Sequence, residues 1–124
     1  MPFTVNTSNE FDSWFTPLEE ALQDDILFVV RLLEEHGPQL RRPYADTLEG
    51  TSLSNLKELR VQHRDEPYRI LFAFDPKREA LLLIGGNKAG DKRWYKRMIP
   101  IAETIFERHL EILEKGEDDG KTPQ

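Results

Sequence analysis

Two stretches of the 124-residue chain carry side chains able to act on a phosphate, and strand parity picks out the first. Residues 56–62 alternate apolar and charged positions with the period of a strand. Leu59 and Val61 then point one way, and Glu58, Arg60 and Gln62 the other. Residues 68–74 set Tyr68, Ile70, Phe72 and Phe74 against Arg69, Leu71 and Ala73. If the apolar sets face the helices together, Glu58, Arg60 and Arg69 meet on the other, concave or open, face of a sheet. Register is constrained, because a slip of one residue would bury the charges. Two guanidinium groups beside a carboxylate can clamp an anionic oxygen. The same three residues also satisfy a cross-strand salt bridge on a solvated face.

The second stretch is Lys88, Lys92, Arg93, Lys96 and Arg97, interleaved with Trp94 and Tyr95. It follows Gly85-Gly86, a strand end where backbone can approach a ligand closely. Lys92, Tyr95 and Lys96 can share one helical face, offering phosphate contacts and an aromatic ring for base stacking. Ordinary amphipathic helices also carry lysines beside an aromatic, and Trp94 reads mainly as core. The spacing is not that of a P-loop, since GxxxxGK[ST] is absent.

Other chemistries have little to stand on. The chain has no cysteine, which excludes disulfides, thiolate zinc sites and cysteine nucleophiles. Its three histidines, His36, His63 and His109, lack any local metal spacing, so no metal and no cofactor is expected. His63 shares the parity of Leu59 and Val61 at a strand end; it reads as structural, and as an acid or base only if the turn rotates it outward. His36 and His109 read as helix residues, and no GxSxG motif supports a serine nucleophile. No apolar run reaches the roughly 18–20 residues of a membrane span, and the N-terminus resembles neither a signal nor a transit peptide. A cytoplasmic, membrane-free protein is expected.

The elements that must position these residues can be read in order. Residues 3–6 alternate as a short strand. Thr7 and Glu10 have capping-box spacing ahead of Phe11, Trp14 and Phe15. Thr16-Pro17-Leu18-Glu19 repeats the signal before a helix of about five turns, whose apolar spacing from Leu18 to Leu33 stops at Gly37-Pro38. Residues 38–55 read as irregular. Three strands follow at 56–62, 68–74 and 80–84, joined by links short enough for an antiparallel meander. A final helical stretch contains Pro100, where a kink or break is expected. The order β-α-α-β-β-β-α points to a single small α+β domain over residues 1–114, and residues 115–124 read as a disordered acidic tail.

Charge is segregated along this order. The formal net charge is −6, which taken alone argues against a nucleic-acid partner. Residues 1–56 carry 3 basic and 10 acidic side chains, residues 57–97 carry 11 and 6, and residues 98–124 carry 3 and 7. The surplus of positive charge therefore lies in the segment that holds both candidate clusters.

Several linked blocks carry a resemblance over nearly the whole chain to about Leu113. They are Arg42-Pro43-Tyr44-Ala45-Asp46-Thr47-Leu48-Glu49-Gly50, Asn55-Leu56-Lys57-Glu58-Leu59-Arg60, and Pro67-Tyr68-Arg69-Ile70-Leu71-Phe72-Ala73-Phe74-Asp75-Pro76. Gly85-Gly86-Asn87-Lys88 and Asp91-Lys92-Arg93-Trp94-Tyr95-Lys96-Arg97-Met98-Ile99-Pro100-Ile101-Ala102 complete the series. Together, and in this order, they resemble the phage-derived HigB-like toxins, a branch of the RelE/ParE superfamily of type II toxin–antitoxin systems.

The resemblance implies a RelE-like α+β fold, with two N-terminal helices packed on a small antiparallel sheet and a C-terminal helix. It implies a ribosome-dependent mRNA endonuclease held inactive by a helix-turn-helix antitoxin. Cleavage of this kind needs an activated 2′-hydroxyl, stabilised phosphorane charge and a protonated leaving oxygen. Arg60 and Arg69 are the expected phosphate clamp, with Glu58 as base or as the group that holds an arginine. Lys88 or Lys92 would stabilise charge or protonate the leaving group. Lys57, Arg93, Tyr95 and Lys96 are the expected RNA contacts, with Tyr95 stacking on a base. Two alternatives remain open: a non-catalytic module that binds an antitoxin-like partner, and a ParE-like inhibitor of DNA gyrase. The sequence also departs from the commonly basic toxins in its acidic total charge and acidic tail.

Overall fold

The computed structural model describes residues 2–49 and 55–121, with side chains through residue 116. The elements are β1 (Val5–Thr7), α1 (Asn9–Phe15), α2 (Glu20–His36), β2 (Ala45–Thr47), β3 (Lys57–His63), β4 (Glu66–Phe74), β5 (Ala80–Asn87) and α3 (Trp94–Lys121). They form one five-stranded sheet in the order β1-β5-β4-β3-β2. The β3–β4 and β4–β5 pairings are the expected antiparallel ones, and β2 adds an antiparallel pairing to β3. The sheet is nevertheless mixed, because β1 runs parallel to β5, with Val5 opposite Ala80. A three-residue alternation in sequence carries no information about strand direction, so this could not be read beforehand.

Strand parity sorts the core into two layers. Leu59, Val61, Ile70 and Phe72 pack with Leu22, Ile26, Val29 and Leu33 of α2 and Phe11 of α1. Ile26 and Leu33 are fully buried, each worth roughly 1.5–3 kcal/mol relative to exposure. The opposite face is not open as expected. Leu71, Ala73, Leu81 and Leu83 pack there against Trp94, Ala102, Ile105 and Phe106 of α3. The signal lay in β5, whose solidly apolar residues 80–84 fill both faces of the strand and so require cover on both sides.

Local signals shifted by small steps. Ser8, not Thr7, caps α1: its Oγ accepts from Phe11 N at 2.9 Å and donates to Leu83 O at 2.7 Å, tying the helix start to β5. The Thr16-Pro17 signal does not open α2, which begins at Glu20; Thr16 instead closes α1 by donating its N–H to Asp12 O. Within the stretch expected to be irregular, β2 pairs with β3, and a 3-10 turn spans Gly37–Gln39. The turn-rich run at 50–54 lies outside the described residues.

Helix α3 is continuous through Pro100, with no break. Pro100 sits near its beginning on the exposed side, and Thr104 Oγ1 donates to Pro100 O at 3.0 Å. The helix also continues to Lys121, across most of the segment expected to be disordered. Among the described residues no helix is long and apolar enough to cross a membrane.

Candidate functional site: a buried carboxylate that collects arginine and tyrosine

The strands bring Glu58, Arg60 and Arg69 to one face, with Arg60 directly opposite Arg69 in the β3–β4 register. Two like charges at such a position repel unless something lies between them. Glu58 provides it. Its Oε2 accepts from Arg60 Nη1 at 3.2 Å, and its Oε1 lies 3.6 Å from Arg69 Nε. The start of α3 adds a third group, since the Tyr95 hydroxyl donates to Glu58 Oε1 at 2.6 Å.

Burial divides these groups. Glu58 and Arg69 are 3% and 5% exposed, whereas the Arg60 side chain is 28% exposed. Arg69 donates from Nη1 to its neighbour Tyr68 O at 2.9 Å. Its Nε is buried without a hydrogen-bond partner, so it faces Glu58 as an ion pair only. Burial, and then the adjacent Glu58 carboxylate, push the Tyr95 hydroxyl up to about 12, which keeps it a protonated donor. Arg69 therefore lies beneath the surface, holding the carboxylate, and Arg60 is the guanidinium that reaches solvent.

Cations continue along the rim. Lys88 Nζ stands 5.9 Å from the centre of the Tyr95 ring, within range of a cation–π attraction. Lys92, Arg93 and Lys96 are exposed around the first turn of α3. That turn is fixed by Asp91, which accepts from Arg93 N at 3.1 Å and is gripped by Arg97 through two bonds of 3.1 and 2.8 Å. These bonds hold the Asp91 carboxyl below its ordinary value, Arg97 first among the causes. Arg97 is thus committed to the turn.

Lys57 is the expected RNA contact that the strand places elsewhere. It shares the parity of Leu59, on the face opposite Glu58, and its Nζ donates to Thr47 Oγ1 at 3.2 Å. The parity argument applied to Glu58 and Arg60 would already have separated it. Gly85-Gly86 also has another use than approach to a ligand. A Cβ on Gly85 would collide with the Trp14 ring on one face, and a Cβ on Gly86 would lie 2.6 Å from Trp94 Nε1 on the other. The two glycines seat an indole on each side of β5.

One pair near the cluster had no sequence signal. Arg42 grips Asp46 Oδ2 through Nε at 2.9 Å and Nη2 at 2.7 Å, and Asp46 is the register partner of Glu58. The Arg42 bond holds the Asp46 carboxyl low. The histidines serve the scaffold. His63 does not rotate outward; its Nδ1 lies 2.6 Å from Asp25 and its Nε2 3.0 Å from Glu19, both reached from the α2 side. His109 on α3 lies 3.0 Å from the buried Asp75 carboxylate.

Comparison with known proteins agrees with this architecture. A family model described as "Phage derived protein Gp49-like" matches residues 13–107. A Mycobacterium tuberculosis H37Rv protein bearing the name toxin HigB3 is 43% identical over 102 residues, which cover 82% of this chain and 88% of that one. A second, bearing the name toxin HigB2, is 42% identical over 105 residues, but the match spans only 52% of its length. The Escherichia coli toxin RelE, solved in the free state as a mutant, superposes with a TM-score of 0.57 at 10% identity, covering 87% of this chain and 98% of that one. RelE–RelB from Pyrococcus horikoshii gives 0.54 at 22% identity, over 73% of this chain and 99% of that one. At those identities the structures speak to the fold, which is RelE-like. The family rests on the sequence matches: the chain belongs to the phage-derived Gp49-like family, whose relatives here carry HigB toxin names.

Proposed function

We propose that the protein is the toxin of a type II toxin–antitoxin system and cleaves mRNA on the ribosome, in the cytoplasm, without a metal or cofactor. The carrying observation is the Glu58 carboxylate, which collects Arg60, Arg69 and Tyr95 at the edge of a cationic rim. In the reaction the ribose 2′-hydroxyl gives its proton to water as its oxygen attacks phosphorus, the bond from phosphorus to the 5′-oxygen breaks to leave a 2′,3′-cyclic phosphate, and the 5′-oxygen takes up a proton and leaves as an alcohol. The chief demand on the protein is charge stabilisation of the phosphorane.

Arg60 meets that demand directly, and the buried Glu58–Arg69 pair positions it. Tyr95 locks the carboxylate to α3. Lys88, beside the Tyr95 ring, supplies an ammonium for the leaving oxygen, while Lys92, Arg93 and Lys96 bind flanking phosphates. An antitoxin partner is supported by the HigB names of the relatives and by the RelE–RelB assembly of a structural neighbour. Its helix-turn-helix domain rests on the family resemblance.

The test is induction of wild type and Arg60→Ala in a bacterial host, with mapping of mRNA 5′ ends. Wild type should arrest growth and leave new ends on ribosome-bound messages; Arg60→Ala should do neither while remaining folded. Growth arrest with intact mRNA and a DNA-damage response would instead favour gyrase poisoning.

A further inference from the structure

The cluster opens sideways at Arg60. Strand β2 covers β3 only from Lys57 to Leu59. The next bond on that side runs from Arg60 N to Tyr44 O at 2.8 Å. Strand alternation puts the N–H and C=O of Gln62 on the same side, past the end of β2. Across from this edge stand Phe28 of α2 and Tyr44, whose rings meet edge to face with centroids 6.2 Å apart. They are 56% and 37% exposed, well above what core packing of aromatics requires. With Val29 and Val61 they line a groove of about 280 Å³, and Arg60 lines it too.

We propose that this groove receives an unpaired nucleobase of the RNA strand whose phosphate is held at Arg60. The inference rests on the RNA-cleavage reading and adds a base-binding position to it. Arg60 links the two places, because its Nη1 donates to Glu58 while its side chain borders the groove. A phosphate on that guanidinium therefore brings a neighbouring base to the groove. Aromatic walls suit a base, since unstacked bases in single-stranded RNA are held on aromatic rings. Gln62 adds a backbone donor, a backbone acceptor and an exposed side-chain amide at the edge, which are the groups that read a base rather than an apolar side chain. The carboxylate in the lining, Asp25, is already taken by His63 Nδ1 at 2.6 Å, which reduces its repulsion of an RNA strand.

The experiment uses ribosomes programmed with a defined mRNA and single-turnover cleavage by the full chain. The message carries either a normal or an abasic nucleotide at each position flanking the cut. At one flanking position the abasic substitution should slow wild type by roughly tenfold, the scale of one stacked base. Phe28→Ala and Tyr44→Ala should show a similar loss on normal mRNA and no further loss on that abasic message. Both side chains are exposed, so circular dichroism should match wild type. The inference is overturned if the variants cut at the wild-type rate, or if variant and abasic losses multiply as independent effects. It is equally overturned if Phe28→Ala leaves cleavage unchanged and weakens only inhibition by a protein partner, which would assign the groove to that partner. A wild type that cuts no message under any condition removes the RNA reading itself, an outcome distinct from intact cutting with an idle groove.

Discussion

Glu58 can be buried because Arg60 and Tyr95 donate to it and Arg69 pairs with its charge, and that makes its removal different from the removal of Arg60. Taking away one partner of a buried ion pair strands the other, at a cost of about 3–5 kcal/mol. Glu58→Ala leaves Arg69 in that position, with Nε already lacking a hydrogen bond. It should lower the denaturation midpoint sharply and lose activity together with the fold. Arg60, at 28% exposure, sheds little stability when truncated. Arg60→Ala should keep a near wild-type midpoint and still lose growth arrest, and urea titration beside the induction assay separates the two. Tyr95→Phe lies between, with a hydrogen bond to a charged group worth about 1.5–3 kcal/mol removed. At this scale the sequence was legible where parity governs, since alternation alone brought Glu58, Arg60 and Arg69 together and also separates Lys57. Burial was not legible, because it depends on α3 closing over that face.

Helix α3 is placed by β5 through Gly86. The Trp94 ring lies against Gly86, and Tyr95 follows it directly onto Glu58. Gly86→Ala should push Trp94 outward, cost about 1–3 kcal/mol as overpacking and withdraw the Tyr95 hydroxyl. A reduced denaturation midpoint with weakened growth arrest is the expected result; unchanged values for both would show that α3 is positioned otherwise. The contact of α2 with the end of β3 depends on pH. His63 has carboxylates on both ring nitrogens, Asp25 contributing most and Glu19 next, while Arg64 opposes them and the Tyr68 ring packs alongside. Its pKa is thereby raised above the ordinary 6.5. A raised folded-state value means that the stabilisation is fully present below the unfolded value and is lost as pH rises through the folded one. The melting temperature of wild type minus that of His63→Gln should be largest near pH 6 and shrink toward alkaline pH. A difference that is flat with pH would show that the ring is not charged in the fold. Neither contact was visible in sequence, where Gly85-Gly86 read as a ligand approach and His63 lay 38 residues from Asp25.

Across the whole molecule, the acidic total and the basic middle have a common structural origin. The acidic flanks supply α1, α2 and most of α3, while residues 57–97 supply β3, β4, β5 and the turn into α3. Within that middle, Arg69 and Arg97 are bound to Glu58 and Asp91, so they add little to long-range attraction. Lys88, Lys92, Arg93 and Lys96 cluster around the start of α3 near Tyr95, and in the proposed function they bind flanking phosphates. Counting charge by segment located this rim in sequence, although it could not tell committed arginines from available lysines. For a single strand each neutralised phosphate contributes about −0.7 to the slope of log affinity against log salt. Four such contacts give a slope of roughly −3, and each of Lys92→Ala and Lys96→Ala should make it shallower by about 0.7. Binding to programmed ribosomes across a salt series measures it, with wild-type ribosome contacts cancelling in the differences between variants. A slope unchanged by both substitutions would place the phosphate contacts away from α3. Since the acidic helices repel the same backbone, the loss of either lysine should also slow association more than it speeds release.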